Sequence, residues 1–289
     1  MLANKPKTKI LVDGGDPEET LGVKKLIGFV DGQTTNPSLI AKNPEVMRLI
    51  ESGHKFTERE EAAEYRKIVQ AISPLVGDAG VSIEVFADLN TTADEMLKQG
   101  REMNSWIPNG YIKYPCIAEG LKAAQRSVAE GIRVNMTLCF SQRQAAAVYA
   151  ATKGSRSPVY VSPFIGRLDA IGQNGVDLIR NIKRMFDRSD RHVLILAASI
   201  RTLDHLLYAF RVRSELVTVP GKILEQWAKE GMRLPDNEFT YKPLGSEIPY
   251  EELNLEQSWE QFDIQHELTR KGIAKFVSDY KATLRGAHS

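Results

Sequence analysis

Eight short runs of apolar residues recur along this chain, and each leads into a longer, more polar segment. They are KILVDG (9–14), IGFVDG (27–32), GVSIEVFA (80–87), YIKYP (111–115), RVNMTLCF (133–140), PVYVSPF (158–164), HVLILAAS (192–199) and ELVTVP (215–220). Most are apolar almost throughout instead of alternating, the pattern of strands covered on both faces. The segments between them read as helices. Thr57 with Glu60, Thr92 with Glu95 and Ser141 with Gln144 have capping-box spacing. Strand–helix alternation repeated eight times predicts an α/β fold, a (β/α)8 TIM barrel. An open doubly wound sheet is the other arrangement that the count allows. The stretch 57–75 predicts an extra helix between strands two and three. A chain of 289 residues is long for one ordinary domain and normal for a barrel.

The texture changes after the eighth run. Residues 232–257 carry Pro235, Pro243 and Pro249 with many charges and predict an irregular connection. Residues 258–285 predict a final helix with Leu268, Ile273, Phe276, Val277, Tyr280 and Leu284 on or near one face. The expected organisation is a barrel over 1–231 and an extension over 232–289. That extension packs on the barrel or on a neighbouring subunit, which leaves a homo-oligomer open.

Charge narrows the partners. Lysine and arginine number 38 against 37 acidic residues, so nothing calls for nucleic acid or a membrane surface. Any anion must be held by local arginines. Cys116 and Cys139 form no CxxC and have no histidine nearby, so neither a disulfide framework nor a zinc site is expected. The first residues, MLANKPKTKILVDGG, hold no apolar signal core, and no run is long enough to span a bilayer. A cytoplasmic enzyme is expected. The five histidines are scattered and none is assigned a role.

In such barrels the chemistry gathers at the C-terminal ends of the strands. Asp13, the segment TTNPS (34–38), Glu84, Lys113, Asn135, Thr137, Ser162, Arg167, Ser199 and Arg201 all fall there. Each has an ordinary structural reading. Asp13 stands before two glycines like a turn former. Asn36 and Pro37 suit a helix entry. Glu84 and Lys113 suit an ion pair. Together they suit something more specific. A lysine enclosed in an apolar barrel loses hydration, which disfavours its charged form. A neutral amine attacks ketones and forms a Schiff base. Two carboxylates can divide the proton transfers that follow, and arginines can hold a distant phosphate.

The blocks VDGGDP, TTNPSLI, SIEVFADL, YIKYPCIAEGL, VNMTLCFS, VSPFIGRLD and LAASIR resemble the transaldolase family, which includes the fructose-6-phosphate aldolases. They occur in the family's order and cover roughly residues 8–220. The resemblance implies a barrel with the Schiff-base lysine on strand four at Lys113. It implies Asp13 as acid/base, and Glu84 working through water with Thr137. Asn36, Asn135 and Ser162 would hold the dihydroxyacetone part, with Thr35 and Phe164 also expected to bind substrate. Arg167 and Arg201, with Ser199 nearby, would bind phosphate.

Glu84 and Phe164 resemble the transaldolase branch, whereas the aldolase branch has glutamine and tyrosine there. Gly14 and Ile117 depart from the family's usual hydroxyl residues. The resemblance thus implies transfer of a dihydroxyacetone unit between sugar phosphates in pentose phosphate metabolism, with no cofactor or metal. The alternatives are an aldolase releasing free dihydroxyacetone, a sulfosugar transaldolase and a non-catalytic sugar-phosphate-binding barrel.

Overall fold

The structure is a computed structural model, and it describes residues 5–285 other than 188, 237 and 244. The first four residues of the expected 1–231 unit and the last four of 232–289 lie outside the described residues. Eight strands run β1 Lys9–Asp13, β2 Gly32–Thr34, β3 Gly80–Glu84, β4 Gly110–Pro115, β5 Val134–Cys139, β6 Val159–Pro163, β7 Val193–Ala197 and β8 Leu216–Val219. All pair in parallel in chain order, and β8 pairs back onto β1 to close a barrel. The open sheet is excluded.

The helices follow in order. They are α1 Pro17–Ile27, α2 Pro37–Ala41, α3 Pro44–Glu51, α4 Glu58–Ile72, α5 Ala93–Asn104, α6 Ala118–Ala129, α7 Gln142–Ala151, α8 Ile165–Asp169, α9 Gly175–Phe186, α10 Leu203–Arg211, α11 Gly221–Lys229 and α12 Glu267–Thr283. The extra helix expected over 57–75 is α4, but two short helices, α2 and α3, precede it. Thr57 and Thr92 form full capping boxes at α4 and α5. Ser141 caps α7, but the Gln144 side chain turns away to accept from the Phe140 amide, so that box is only half formed.

Two expected elements shift. The run 27–32 is not the second strand. Ile27 still belongs to α1, and Gly28 ends that helix at φ 86°, with its N–H on the Lys24 carbonyl. Phe29 and Val30 are buried on the way in, and ladder pairing begins at Gly32. An apolar run four residues long cannot tell a helix end from a strand. The final helix is also shorter than 258–285. Trp259–Gln261 is a single tight turn, and α12 starts at Glu267, where the His266 ring nitrogen accepts the Leu268 amide. Leu284 lies past its end, bridged to Phe56.

α12 lies across the C-terminal mouth of the barrel, packed on α2 and on the end of β5. Leu268, Ile273 and Phe276 form its buried face. Its Thr269 hydroxyl donates to the Leu138 carbonyl and accepts from the Gln144 amide. The connection ahead of it forms a strap along α7, α9 and α10. Gln142 donates to the Glu251 carbonyl, Asn181 to the Ile248 carbonyl, and Ser246 bridges Gln173. Among the described residues no helix is long and apolar enough to cross a membrane.

Candidate active site

Lys113 sits inside the barrel, 3 % exposed, and is the only buried lysine among the described residues. Register explains why. Tyr111, Lys113 and Pro115 share the inward face of β4, while Ile112 and Tyr114 face the helices. Tyr114 accordingly reaches Ser127 of α6. The Lys113 Nζ donates to the Thr35 carbonyl at 2.9 Å. It also lies 2.9 Å from Glu84 Oε2, directly across the β3–β4 ladder. That second contact has ion-pair distance without hydrogen-bond direction, so Oε2 remains a buried oxygen lacking an aligned partner. The Thr137 hydroxyl, on β5, is likewise buried and unpartnered.

Burial pushes the Glu84 carboxyl above the usual glutamate range, against the pull of Lys113 and Arg167. Asp13, at the end of β1, is raised for the same reason, again against Lys113, the Thr34 hydroxyl and Arg167. Thr34 donates to Asp13 Oδ1 at 2.8 Å and is itself 2.5 Å from the Thr218 hydroxyl of β8. Two carboxyls held above their usual range beside an amine are well suited to proton transfer.

Asp13, Thr34, Lys113, Thr137 and Thr218 border a cavity of about 310 Å³ beneath α12. Of the residues singled out from sequence, Asp13, Asn36, Lys113, Thr137, Ser162, Phe164, Arg167, Ser199 and Arg201 line it. Three do not. Thr35 is fully buried and presents only its carbonyl to the lysine. Glu84 borders a smaller space of about 10 Å³ beside Phe86 and Phe276, roughly the size of one water. Asn135 is held between the Ser82 and Ser162 hydroxyls, at 3.0 and 2.7 Å. Asn36 caps α2 as its ordinary reading expects, its side chain accepting the Leu39 amide, and still borders the cavity.

Arg167 and Arg201 supply positive charge at the far side. Neither has a carboxylate within ion-pair distance among the described residues. Arg167 lies between two aromatic faces, 5.2 Å from the Phe164 ring and 5.5 Å from Phe276. Burial disfavours its charge, the Glu84 carboxylate favours it, and the net effect is downward. Gly272 of α12 leaves the space for it: a Cβ there would stand 2.7 Å from Arg167 Nη1 and 2.6 Å from Leu138 Cδ2.

Several lining residues escaped the sequence reading. Lys42 follows α2, and Lys275, Phe276 and Asp279 come from α12, while Ser38 belongs to the segment TTNPS already singled out. Asp279 bonds both Ser38 and Lys275, tying the roof to the barrel rim. Tyr65 of α4 was also missed. Its hydroxyl accepts the Glu84 amide at 3.0 Å and meets the Thr35 hydroxyl at 2.6 Å, so it fixes two of the groups that touch Lys113. In sequence it falls on the apolar stripe of α4 with Ile68, Val69 and Ile72 and reads as packing. Cys116 and Cys139 are both buried free thiols.

The family described as transaldolase/fructose-6-phosphate aldolase matches residues 10–286. A probable transaldolase of Roseiflexus sp. (strain RS-1) is 34 % identical over 90 % of this chain and 91 % of its own length. One from Dehalococcoides mccartyi is 34 % identical over 95 % of this chain and 98 % of its own. One from Moorella thermoacetica is 40 % identical over 76 % of this chain and 90 % of its own. With a closed eight-stranded barrel and a match over nearly its whole length, the chain belongs to the transaldolase/fructose-6-phosphate aldolase family.

Proposed function

We propose that the protein is a transaldolase that moves a dihydroxyacetone unit from a ketose phosphate to an aldose phosphate through an imine on Lys113. The observation that carries this reading is the cavity's division. At one end stands a dry lysine with a glutamate beside it, and at the other stand two arginines that pair with no carboxylate among the described residues.

Lys113 gives a proton to Glu84, and the neutral amine adds to the C2 carbonyl of the donor. Loss of water yields the iminium. Asp13 takes the C4 hydroxyl proton as the C3–C4 bond breaks. The bonding pair passes into the C2–C3 bond and onto nitrogen, leaving an enamine and releasing an aldose. The enamine carbon then attacks the acceptor aldehyde, whose oxygen takes the proton back from Asp13. Water hydrolyses the new iminium. The unpartnered oxygens of Glu84 and Thr137 support a shared water in the steps that form and hydrolyse it. Asn36, Asn135 and Ser162 would keep the three-carbon unit in register. Arg167 and Arg201, with Ser199 beside them, would hold the terminal phosphate. Phe164 has no hydroxyl to protonate the enamine, which favours transfer over release of free dihydroxyacetone.

Borohydride reduction in the presence of fructose 6-phosphate, followed by peptide mapping, tests the chemistry. A reduced adduct on Lys113 is expected. An adduct on another lysine, or none with any ketose phosphate, would defeat the proposal. Free dihydroxyacetone produced without an acceptor at the rate of transfer would assign an aldolase instead. A faster reaction with a sulfonated donor at equal concentration would assign a sulfosugar substrate.

A further inference from the structure

The two arginines stand on separate segments. Arg167 lies in α8 and Arg201 in the turn ahead of α10. Two guanidinium groups can share one phosphate only if their spacing is held, and neither segment is a strand. The segments touch closely. Gly166 and Ile165 donate to the carbonyls of Ser199 and Ala198, and a Cβ on Gly166 would stand 2.3 Å from the Ser199 oxygen and 2.7 Å from Arg201 Cδ. Ser199 itself takes φ 59°, an unusual backbone for a residue other than glycine.

Behind this contact lies a buried polar cluster that no step of the reaction uses. Asp169, two residues after Arg167, accepts the Gly175 amide on Oδ1 at 2.8 Å and meets His205 Nε2 with Oδ2 at 2.7 Å. His205 is 1 % exposed. Its other nitrogen, Nδ1, accepts the backbone N–H of Arg201 at 3.2 Å. The carboxylate places the imidazole proton on Nε2, which leaves the Nδ1 lone pair free to accept that amide. Tyr241, from the strap, brings its hydroxyl 3.1 Å from Nε2 and 3.4 Å from Asp169 Oδ2. Nε2 is already a donor, so the phenol gives its proton to the carboxylate. A continuous link therefore runs from the Arg167 helix through Asp169 and His205 to the amide of Arg201.

We propose that Asp169 and His205, backed by Tyr241, form a positioning clamp that sets the spacing of Arg167 and Arg201 and hence affinity for the substrate's terminal phosphate. The inference rests on the sugar-phosphate reading of the cavity. A pair that merely stapled α8 to α10 would affect stability alone, whereas this clamp acts on the phosphorylated end of the ligand.

The test compares wild type with His205→Leu, His205→Asn and Tyr241→Phe in three measurements. They are KM and kcat for fructose 6-phosphate, calorimetric binding of inorganic phosphate, and borohydride trapping of dihydroxyacetone, which carries no phosphate. His205→Leu should raise KM and weaken phosphate binding about tenfold, with kcat within about threefold and dihydroxyacetone trapping unchanged. His205→Asn, whose Oδ1 can accept the Arg201 amide in place of Nδ1, should restore most of the affinity. Tyr241→Phe should move KM and phosphate binding in the same direction by about twofold. Unchanged phosphate affinity in folded His205→Leu and Tyr241→Phe would overturn the clamp, and so would an equal loss of dihydroxyacetone trapping. Should His205→Leu fail to fold, Tyr241→Phe decides by the same criterion. Should wild type trap no ketose, the transaldolase reading fails, and phosphate binding still judges the clamp by itself.

Discussion

Two layers of the same barrel, one residue pair apart, are built on opposite terms. On the inward face of β4 and β6 the lower layer is Tyr111 and Tyr160, stacked at 4.1 Å with planes 12° apart. Arg133 lies 5.1 Å from the Tyr111 ring, and the Tyr160 hydroxyl reaches the Ala79 carbonyl. Two residues further along the same strands stand Lys113 and Ser162. There the fillers are an ammonium, two raised carboxyls, and two buried oxygens without aligned partners. Stacked rings gain area burial and ring contact. A buried ion pair recovers at most its own desolvation. The lower layer closes the cylinder, and the upper one spends that stability on reactive groups.

The sharpest break in this contrast is Lys113→Met. Turnover should fall by about 10⁴-fold or more, because Lys42 and Lys275, which also line the cavity, are not buried beside Glu84 as Lys113 is. The variant also strands Glu84, so it should lose roughly 3 kcal/mol of stability. Lys113→Met combined with Glu84→Gln should recover that loss without recovering activity. Thermal unfolding beside the transfer assay checks both halves, and an active single variant would end the mechanism.

The lower layer should respond the other way. Tyr160→Ala should cost about 3–5 kcal/mol of stability through the cavity it leaves. Below its lowered melting temperature the folded enzyme should keep kcat within a few-fold. Denaturant titration with kinetics at low temperature would show it, and a kcat that collapses in fully folded protein would erase the distinction between layers.

Gly272→Ala addresses the roof. The added methyl needs space held by Arg167 and Leu138. KM for the phosphorylated donor should rise about tenfold, equivalent to about 1.4 kcal/mol, with a smaller change in kcat. Steady-state kinetics with unchanged KM would mean that the guanidinium does not depend on α12.

The smallest effect is one of pH. Burial pushes the half-buried Glu61 carboxyl of α4 up to about 7 from an ordinary value of 4.5. The folded chain then holds a proton that the unfolded chain releases between those values, so stability falls as pH rises through that window. Glu61→Gln should be neutral near pH 4.5 and stabilising by about 1–2 kcal/mol at pH 8. Melting curves at the two pH values decide it, and equal effects at both would remove Glu61 from the account.

Much of the barrel was legible because its signal is local. Each run marks its own strand, and polar residues at strand ends mark the mouth. Lys113 stood out because charge inside an apolar run has few explanations. The second strand was misplaced because Ile27 to Val30 is apolar whether it ends a helix or starts a ladder. Asn135 was legible as inward-facing, but its engagement with Ser82 and Ser162 was not, since those partners lie on other strands. Tyr65 and His205 were invisible for a related reason. Each sits where helical spacing expects a packing residue, and only its distant partners give it another task.

The order of residues alone was enough to set eight alternating strand–helix units and to single out the amine, because short apolar runs and a misplaced charge act over a few neighbours, whereas closure into a barrel rests on the pairing of β8 with β1. Three-dimensional packing alone decided what surrounds that amine. The Thr269 hydroxyl finds the Leu138 carbonyl across 131 positions, and Ser38 finds Asp279 across 241. Such contacts exist only where the closed cylinder offers α12 a mouth to cover, so no local pattern encodes them.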